Sequence, residues 1–177
     1  LAYRSNLTSL INLLDISNRL LIDKVVIISS FSVNDFIDNP SIYGATKLAN
    51  ENIGFVFNKL FKTNVTTLKL ANIYGPFSSH KNSAIHKFVR QNLKNMNYSV
   101  HNKGDQTRDF VFVIDVVKII IALIKSKKRI ENVNVSSGKT TSVLEVCNLI
   151  NNLTSNSIKS KFTKTPKGLI NNKTKKS

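Results

Sequence analysis

Two short runs rich in β-branched residues constrain this chain most: "KVVIISS" at 24–30 and "NVTTLKL", the start of 64–76. A brief apolar run bounded by polar and turn residues is what a parallel strand buried on both faces requires. Parallel strands cannot be joined by a tight turn, so a crossover helix must lie between them. Ala49, Ile53, Val56 and Leu60 supply its apolar face. The alternation continues on both sides. Leu7, Leu10, Ile11 and Leu14 recur at helical spacing before the first run, and Ile85, Phe88, Val89 and Leu93 after the second. "RDFVFV" reads as a strand, and the next helix starts near Asp115, a good N-cap type. Its "IIIALI" segment (119–124) reads as buried. "NVNVSSG" gives a strand and turn, and Ser142 with Glu145 forms a capping-box pattern before Val146, Leu149 and Ile150. Strands alternating with helices predict an α/β domain with a largely parallel sheet. Such sheets bind ligands beyond the carboxyl ends of their strands. Ser29 and Ser30, and separately Asn72, fall at such ends.

Composition excludes several classes. At 177 residues and 41% hydrophobic the chain can bury a real core. The longest aliphatic run is far too short to span a bilayer, so no membrane partner is expected. There is no signal-peptide pattern, and a single cysteine, Cys147, precludes an internal disulfide framework; a cytoplasmic setting is the default expectation. The net charge of +16 raises nucleic acid as a partner. Seven lysines and no acids follow Thr154, leaving +9 for the body, where the excess is scattered rather than gathered in a stripe. No zinc-finger, RNA-recognition or basic-zipper signature appears, so no nucleic-acid partner is expected; steeply salt-dependent binding would show otherwise. His80, His86 and His101 have no carboxylate or cysteine companions at ligand spacing, so no metal site is expected.

"SIYGATKLANE" (41–51) carries the chemistry. After a polar loop with Asp35, Asp38, Asn39 and Pro40, a helix opens with Tyr43 four residues before Lys47. Residues i and i+4 share a helix face. A phenol titrates near ~10, and an adjacent cation could lower that by roughly 1–3 units, making Tyr43 a usable general acid or base. In a lysine-rich chain this spacing also arises by chance, so the neighbourhood must decide.

The neighbourhood is a strand ending "ISS", then "YGATKLANE", "ANIYGP", "GDQTRDFVFVIDV" and "NVSSG" before a capped helix. In this order the motifs resemble the extended short-chain dehydrogenase/reductase family, and more narrowly its NAD-dependent epimerase/dehydratase group acting on nucleotide sugars. The resemblance runs over residues 6–153. It implies the C-terminal part of a Rossmann-like, doubly wound parallel sheet with a small substrate-binding α/β region. It also implies that Tyr43 exchanges a proton with the sugar, that Tyr43 and Lys47 both meet the nicotinamide end of the cofactor, Lys47 holding the ribose, and that Ser30 hydrogen-bonds the reacting oxygen, with Ser29 one step off. Ala71 would lie beside the nicotinamide, and Asn72 and Arg108 would contact the nucleotide diphosphate. Asn6 matches a buttressing asparagine, with a plain surface or capping role equally open. For Arg108 the plain alternative is a salt bridge with Asp109 or Asp105; Ser30 could simply cap its own loop. The implied partners are a nucleotide-sugar substrate, NAD or NADP, and a second copy in a homodimer.

The sequence also departs from the family. Val33, Asn34 and Asp35 replace its usual "V-Y-G", and His86 stands where relatives have proline. The six glycines are too dispersed to form the dinucleotide-binding turn. The expectation is therefore a partial NAD(P)-binding region at 1–80, mixed substrate-binding and returning Rossmann elements at 81–153, and a basic, loosely ordered tail at 154–177. On this reading the chain is part of a longer epimerase, dehydratase or reductase and is inactive alone. The alternative is a non-catalytic relative that binds or scaffolds.

Overall fold

The computed structural model describes residues 4–34, 37–38, 40–78 and 83–164. Asp35, Asn39, His80 and the tail beyond 164 lie outside them. In chain order the elements are α1 (Ser9–Arg19), β1 (Val25–Ser30), α2 (Ile42–Leu60), β2 (Val65–Leu70), β3 (Asn72–Tyr74), α3 (Ala84–Leu93), β4 (Tyr98–His101), β5 (Thr107–Phe112), α4 (Val113–Lys125), β6 (Asn132–Val135), β7 (Thr140–Ser142), α5 (Val143–Thr154) and β8 (Ser160–Thr163). A π-helical turn, Arg4–Thr8, precedes α1, and a 3-10 turn, Phe31–Val33, follows β1. The elements form two compact units, Leu1–Ala71 with Ile114–Ser136, and Asn72–Val113 with Ser137–Ser177.

The first unit is built on a parallel sheet of order β1-β2-β6. Central β2 is buried at every position except Lys69, as a strand covered on both faces must be. β1 alternates instead, with Val25, Ile27 and Ser29 turned inward. Leu10 and Leu14 of α1 pack on Val25, Ile27 and Val65, joined by Ile53 and Phe57 of α2. Gly54 sets how closely α2 approaches: a Cβ there would lie 2.7 Å from Ile27 Cδ1 and 3.3 Å from Val65 Cγ1. Gly54→Val is therefore expected to destabilise by about 1–3 kcal/mol through overpacking. Denaturant unfolding checks this, and an unchanged midpoint would show that the helix has room to spare. Below the sheet, Lys24 Nζ donates to the carbonyls of Leu123, Ser126 and Lys128 at 3.0, 2.7 and 3.0 Å. A cation thus closes the carbonyl end of α4, where the helix dipole favours it.

In the second unit β5 pairs in parallel with β3 and antiparallel with β7, while β4 and β8 form a parallel pair. Phe88, Tyr98, Val100, Val146, Cys147 and Ile150 make the core. Asn92 is fully buried within it. Its Nδ2 donates to Tyr98 Oη (2.7 Å) and to Asn151 Oδ1 (3.1 Å), and Tyr98 Oη donates to Asn151 Oδ1 (2.7 Å). Partners on all sides make a buried amide tolerable.

The α/β class with a parallel sheet is present, as is the Ser142–Glu145 capping box. Other expectations need correction. The run 64–76 holds two strands: the Ala71 amide donates to Val135 O (3.0 Å), after which Asn72 begins β3 on a different sheet. Asp115 is not an N-cap, because α4 leaves β5 directly at Val113; its carboxylate lies in the first turn, 3.2 Å from Lys118 Nζ. The "IIIALI" segment is not buried as a whole. Leu123 is, but Ile121 and Ile124 are 46% and 59% exposed, since α4 covers its unit with one stripe only. Within the segment read as a tail, Ser160–Thr163 forms β8 against β4, and Ile158 packs on the core.

Candidate active site

The Tyr43 helix starts where it does because Ser41, in extended backbone after Pro40, accepts a hydrogen bond from Gly44 N on its Oγ (2.9 Å). One turn of helix then brings Lys47 under Tyr43, with Nζ 5.7 Å from the ring centroid. The same ammonium donates to Ile28 O at 2.9 Å, which pins it to the carboxyl half of β1. Burial pushes the Lys47 ammonium below the usual lysine value. Tyr43 is 48% exposed, and its hydroxyl bonds no described residue.

Ser29 and Ser30 separate cleanly. Ser29 shares the inward face of β1, is 2% exposed, and donates its hydroxyl to Glu51 Oε1 at 2.5 Å. Ser30 points to the other face and N-caps the 3-10 turn, accepting from Ser32 N (3.2 Å) and Ser32 Oγ (3.1 Å). The local capping weighed from sequence is therefore one thing Ser30 does. Ala71 follows Leu70, the register partner of Ser30, so both lie at the same edge of the sheet.

Asn6 takes one of its two expected roles, bracing α2. Its Nδ2 donates to Thr46 Oγ1 (3.0 Å), which donates to Tyr43 O (2.8 Å). In the amide orientation that satisfies its neighbours, Asn50 Nδ2 donates to Thr46 O (3.2 Å) and Asn6 O (3.0 Å). Thr46 and Asn50 are buried and were missed from sequence; two polar residues four apart beside the Tyr-Lys stripe were the available signal. Lys47, Asn50 and Asn6 line a groove along β1 with Val26 and Ile28.

The remaining residues belong to the second unit. Asn72 pairs with Phe110 across β3 and β5, and its Nδ2 donates to Asp109 O at 3.2 Å. Arg108, two residues earlier on β5, donates from Nη1 to Thr107 O (2.7 Å). The Asp109 carboxylate accepts from Ser137 N (2.8 Å), Ser137 Oγ (3.0 Å) and Gly138 N (2.9 Å), tying β5 to the turn before β7. His86 Nδ1 lies 3.3 Å from Ser78 Oγ, and His101 Nδ1 3.0 Å from Thr163 Oγ1. Among the described residues no group of three or more His, Cys, Asp or Glu is placed to hold a metal. No helix among them is long and apolar enough to cross a membrane.

Comparison with known proteins decides the family. The model of the NAD dependent epimerase/dehydratase family matches residues 1–136. The chain belongs to the NAD-dependent epimerase/dehydratase family. A Methanocaldococcus jannaschii protein provisionally named UDP-glucose 4-epimerase is 33% identical over 159 residues, covering 82% of this chain and 52% of that protein. The dTDP-L-rhamnose 4-epimerase of Burkholderia thailandensis is 34% identical over 114 residues, 62% of this chain and 31% of that protein. Among solved structures, the UDP-glucuronic acid 4-epimerase of Bacillus cereus, in complex with UDP-glucuronic acid and NAD, superposes with a TM-score of 0.81. It is 26% identical and matches 92% of this chain and 55% of its own. The match covers 31–52% of the length of the two curated relatives named here.

One Lys47 donor is committed to Ile28 O, and the ammonium carries two more. Ammonium donors are of the kind that bond ribose hydroxyls. Among the described residues no two glycines share a strand-to-helix turn of the kind that cradles a pyrophosphate.

Proposed function

We propose that the full-length protein epimerises a nucleotide sugar in an NAD(P)-dependent reaction, with Tyr43 as the acid–base group. The observation that carries this is the Lys47 ammonium fixed between Ile28 O and the Tyr43 ring, while the phenol hydroxyl stays open to a ligand. When bound, the nicotinamide supplies a hydride acceptor and donor. This chain's residues would do the rest. Tyr43 takes the proton of a sugar hydroxyl and returns it. Lys47 keeps its charge against the Tyr43 ring, and its free donors hold the ribose. Ser30 would hydrogen-bond the reacting oxygen, and Ala71 would lie beside the nicotinamide. Asn72 and Arg108 hold the diphosphate, a task for which a planar guanidinium is suited. Dehydration or reduction would use the same Ser30, Tyr43 and Lys47, and the relatives named above, each carrying a 4-epimerase name, favour epimerisation.

The test is to incubate the full-length protein with NAD or NADP and a panel of UDP- and dTDP-sugars, following the sugar by NMR. Appearance of an epimer supports the reading; no conversion of any of them with either cofactor overturns it and favours a binding or scaffolding role. Separately, Arg108→Ala is expected to weaken nucleoside diphosphate binding roughly 10-fold or more, as loss of a charged hydrogen-bond donor does. Unchanged affinity by calorimetry would remove Arg108 from the substrate site.

A further inference from the structure

Glu51 has no part in the chemistry just described, yet each of its carboxylate oxygens has a partner, Ser29 Oγ on Oε1 and Lys69 Nζ on Oε2. It lies one helical turn beyond Lys47 and two beyond Tyr43, so the three form one stripe along α2. The stripe steps along β1: Lys47 bonds Ile28 O, and Glu51 receives the hydroxyl of Ser29. Glu51 Oε2 also pairs with Lys69 Nζ at 3.2 Å, with both side chains under 20% exposed at 18% and 19%. Lys69 is the register partner of Ser29 on β2, and its Nζ donates in turn to Asn34 Oδ1 (3.2 Å). Ser29 immediately precedes Ser30, and Asn34 C-caps the 3-10 turn that Ser30 opens. The carboxylate and its lysine thus grip the Ser30 turn from both ends.

We propose that Glu51 is a positioning residue, which with Lys69 fixes the turn that presents the Ser30 hydroxyl to the substrate. The proposal rests on the reading of Ser30 given above. A largely buried ion pair is weak evidence for stability alone, since its desolvation offsets much of its attraction. Here each partner also reaches a different end of one turn. That arrangement suits holding a geometry.

Amide hydrogen exchange in this chain, with kinetics in the full-length protein, tests it. Glu51→Ala is expected to speed exchange of the Ser32 amide, which bonds Ser30 Oγ, by about 10-fold or more, leaving amides of β4 and α5 unchanged. Glu51→Gln, which keeps an acceptor for Ser29, should recover most of the protection. Kinetically, Glu51→Ala should lower kcat about 10- to 100-fold with the nucleotide-sugar KM within about two-fold, and adding Ser30→Ala should cost little more. A purely structural role would instead give losses that multiply. Unchanged Ser32 exchange, or multiplying losses, overturns the proposal. If Ser30→Ala alone leaves turnover intact, the role given to Ser30 is wrong, and exchange still shows whether Glu51 holds the turn. Should Glu51→Ala fail to fold, Glu51→Gln with Lys69→Met leaves no buried charge unpaired and carries the same test.

Discussion

Tyr43→Phe is expected to lower turnover of the full-length protein by about 100-fold or more, because positioned acid–base catalysis contributes ~10²–10⁴. The loss should fall on kcat and leave the unfolding midpoint in place. The ring stays, the phenol hydroxyl bonds no described residue, and Tyr43 is half exposed. Nucleoside diphosphate affinity should change little, since the diphosphate is assigned to Asn72 and Arg108. Steady-state kinetics beside a denaturant melt separate the two effects. Undiminished turnover would mean that another group moves the proton.

Lys47→Met should lose more than one thing at once. The ammonium holds Ile28 O and lies against the Tyr43 ring, and its remaining donors are assigned to the nicotinamide ribose. Hydrogen bonds from a charged donor are worth enough that NAD affinity should fall roughly 10- to 100-fold, and turnover should fall with it. Stability carries a second signature. The Lys47 ammonium is held below the usual 10.5 by burial, so between its folded value and 10.5 the unfolded chain binds the proton more readily. Stability therefore rises with pH through that window, and the methionine variant should lack this contribution to the rise. Denaturant melts at alkaline pH read the difference. A variant that binds NAD as tightly as the parent would remove Lys47 from the cofactor site.

What could be read in advance was whatever a short stretch of sequence encodes by itself. The Tyr43–Lys47 pair was legible because i and i+4 share a helix face wherever the helix packs. The β-branched runs announced β1 and the central β2, whose burial is nearly continuous. The capping box was legible for the same reason, since both of its hydrogen bonds close within four residues. The strands β3, β4, β7 and β8 are three or four residues long. They are too short for an alternation to declare itself, and their pairing decides them. The cluster around Glu51 was hidden differently. Its partners Ser29 and Lys69 lie 22 and 18 residues away in sequence, and the parallel register of β1 on β2 puts those two side by side. Thr46 and Asn50 look like solvent-facing helix residues until the Arg4–Thr8 turn delivers Asn6 against them.

The central claim is that Tyr43 and Lys47 serve a reaction in which a hydrogen leaves a sugar carbon as hydride and returns to it. The most direct measurement uses a nucleotide sugar deuterated at the carbon whose configuration changes, incubated with the full-length protein and cofactor. NMR of the product reads where the label went. The account predicts an epimer that keeps its deuterium when the reaction is run in ordinary water, formed about 100-fold or more slowly by Tyr43→Phe. An epimer whose label has washed out into solvent would show proton abstraction from carbon, and would contradict it.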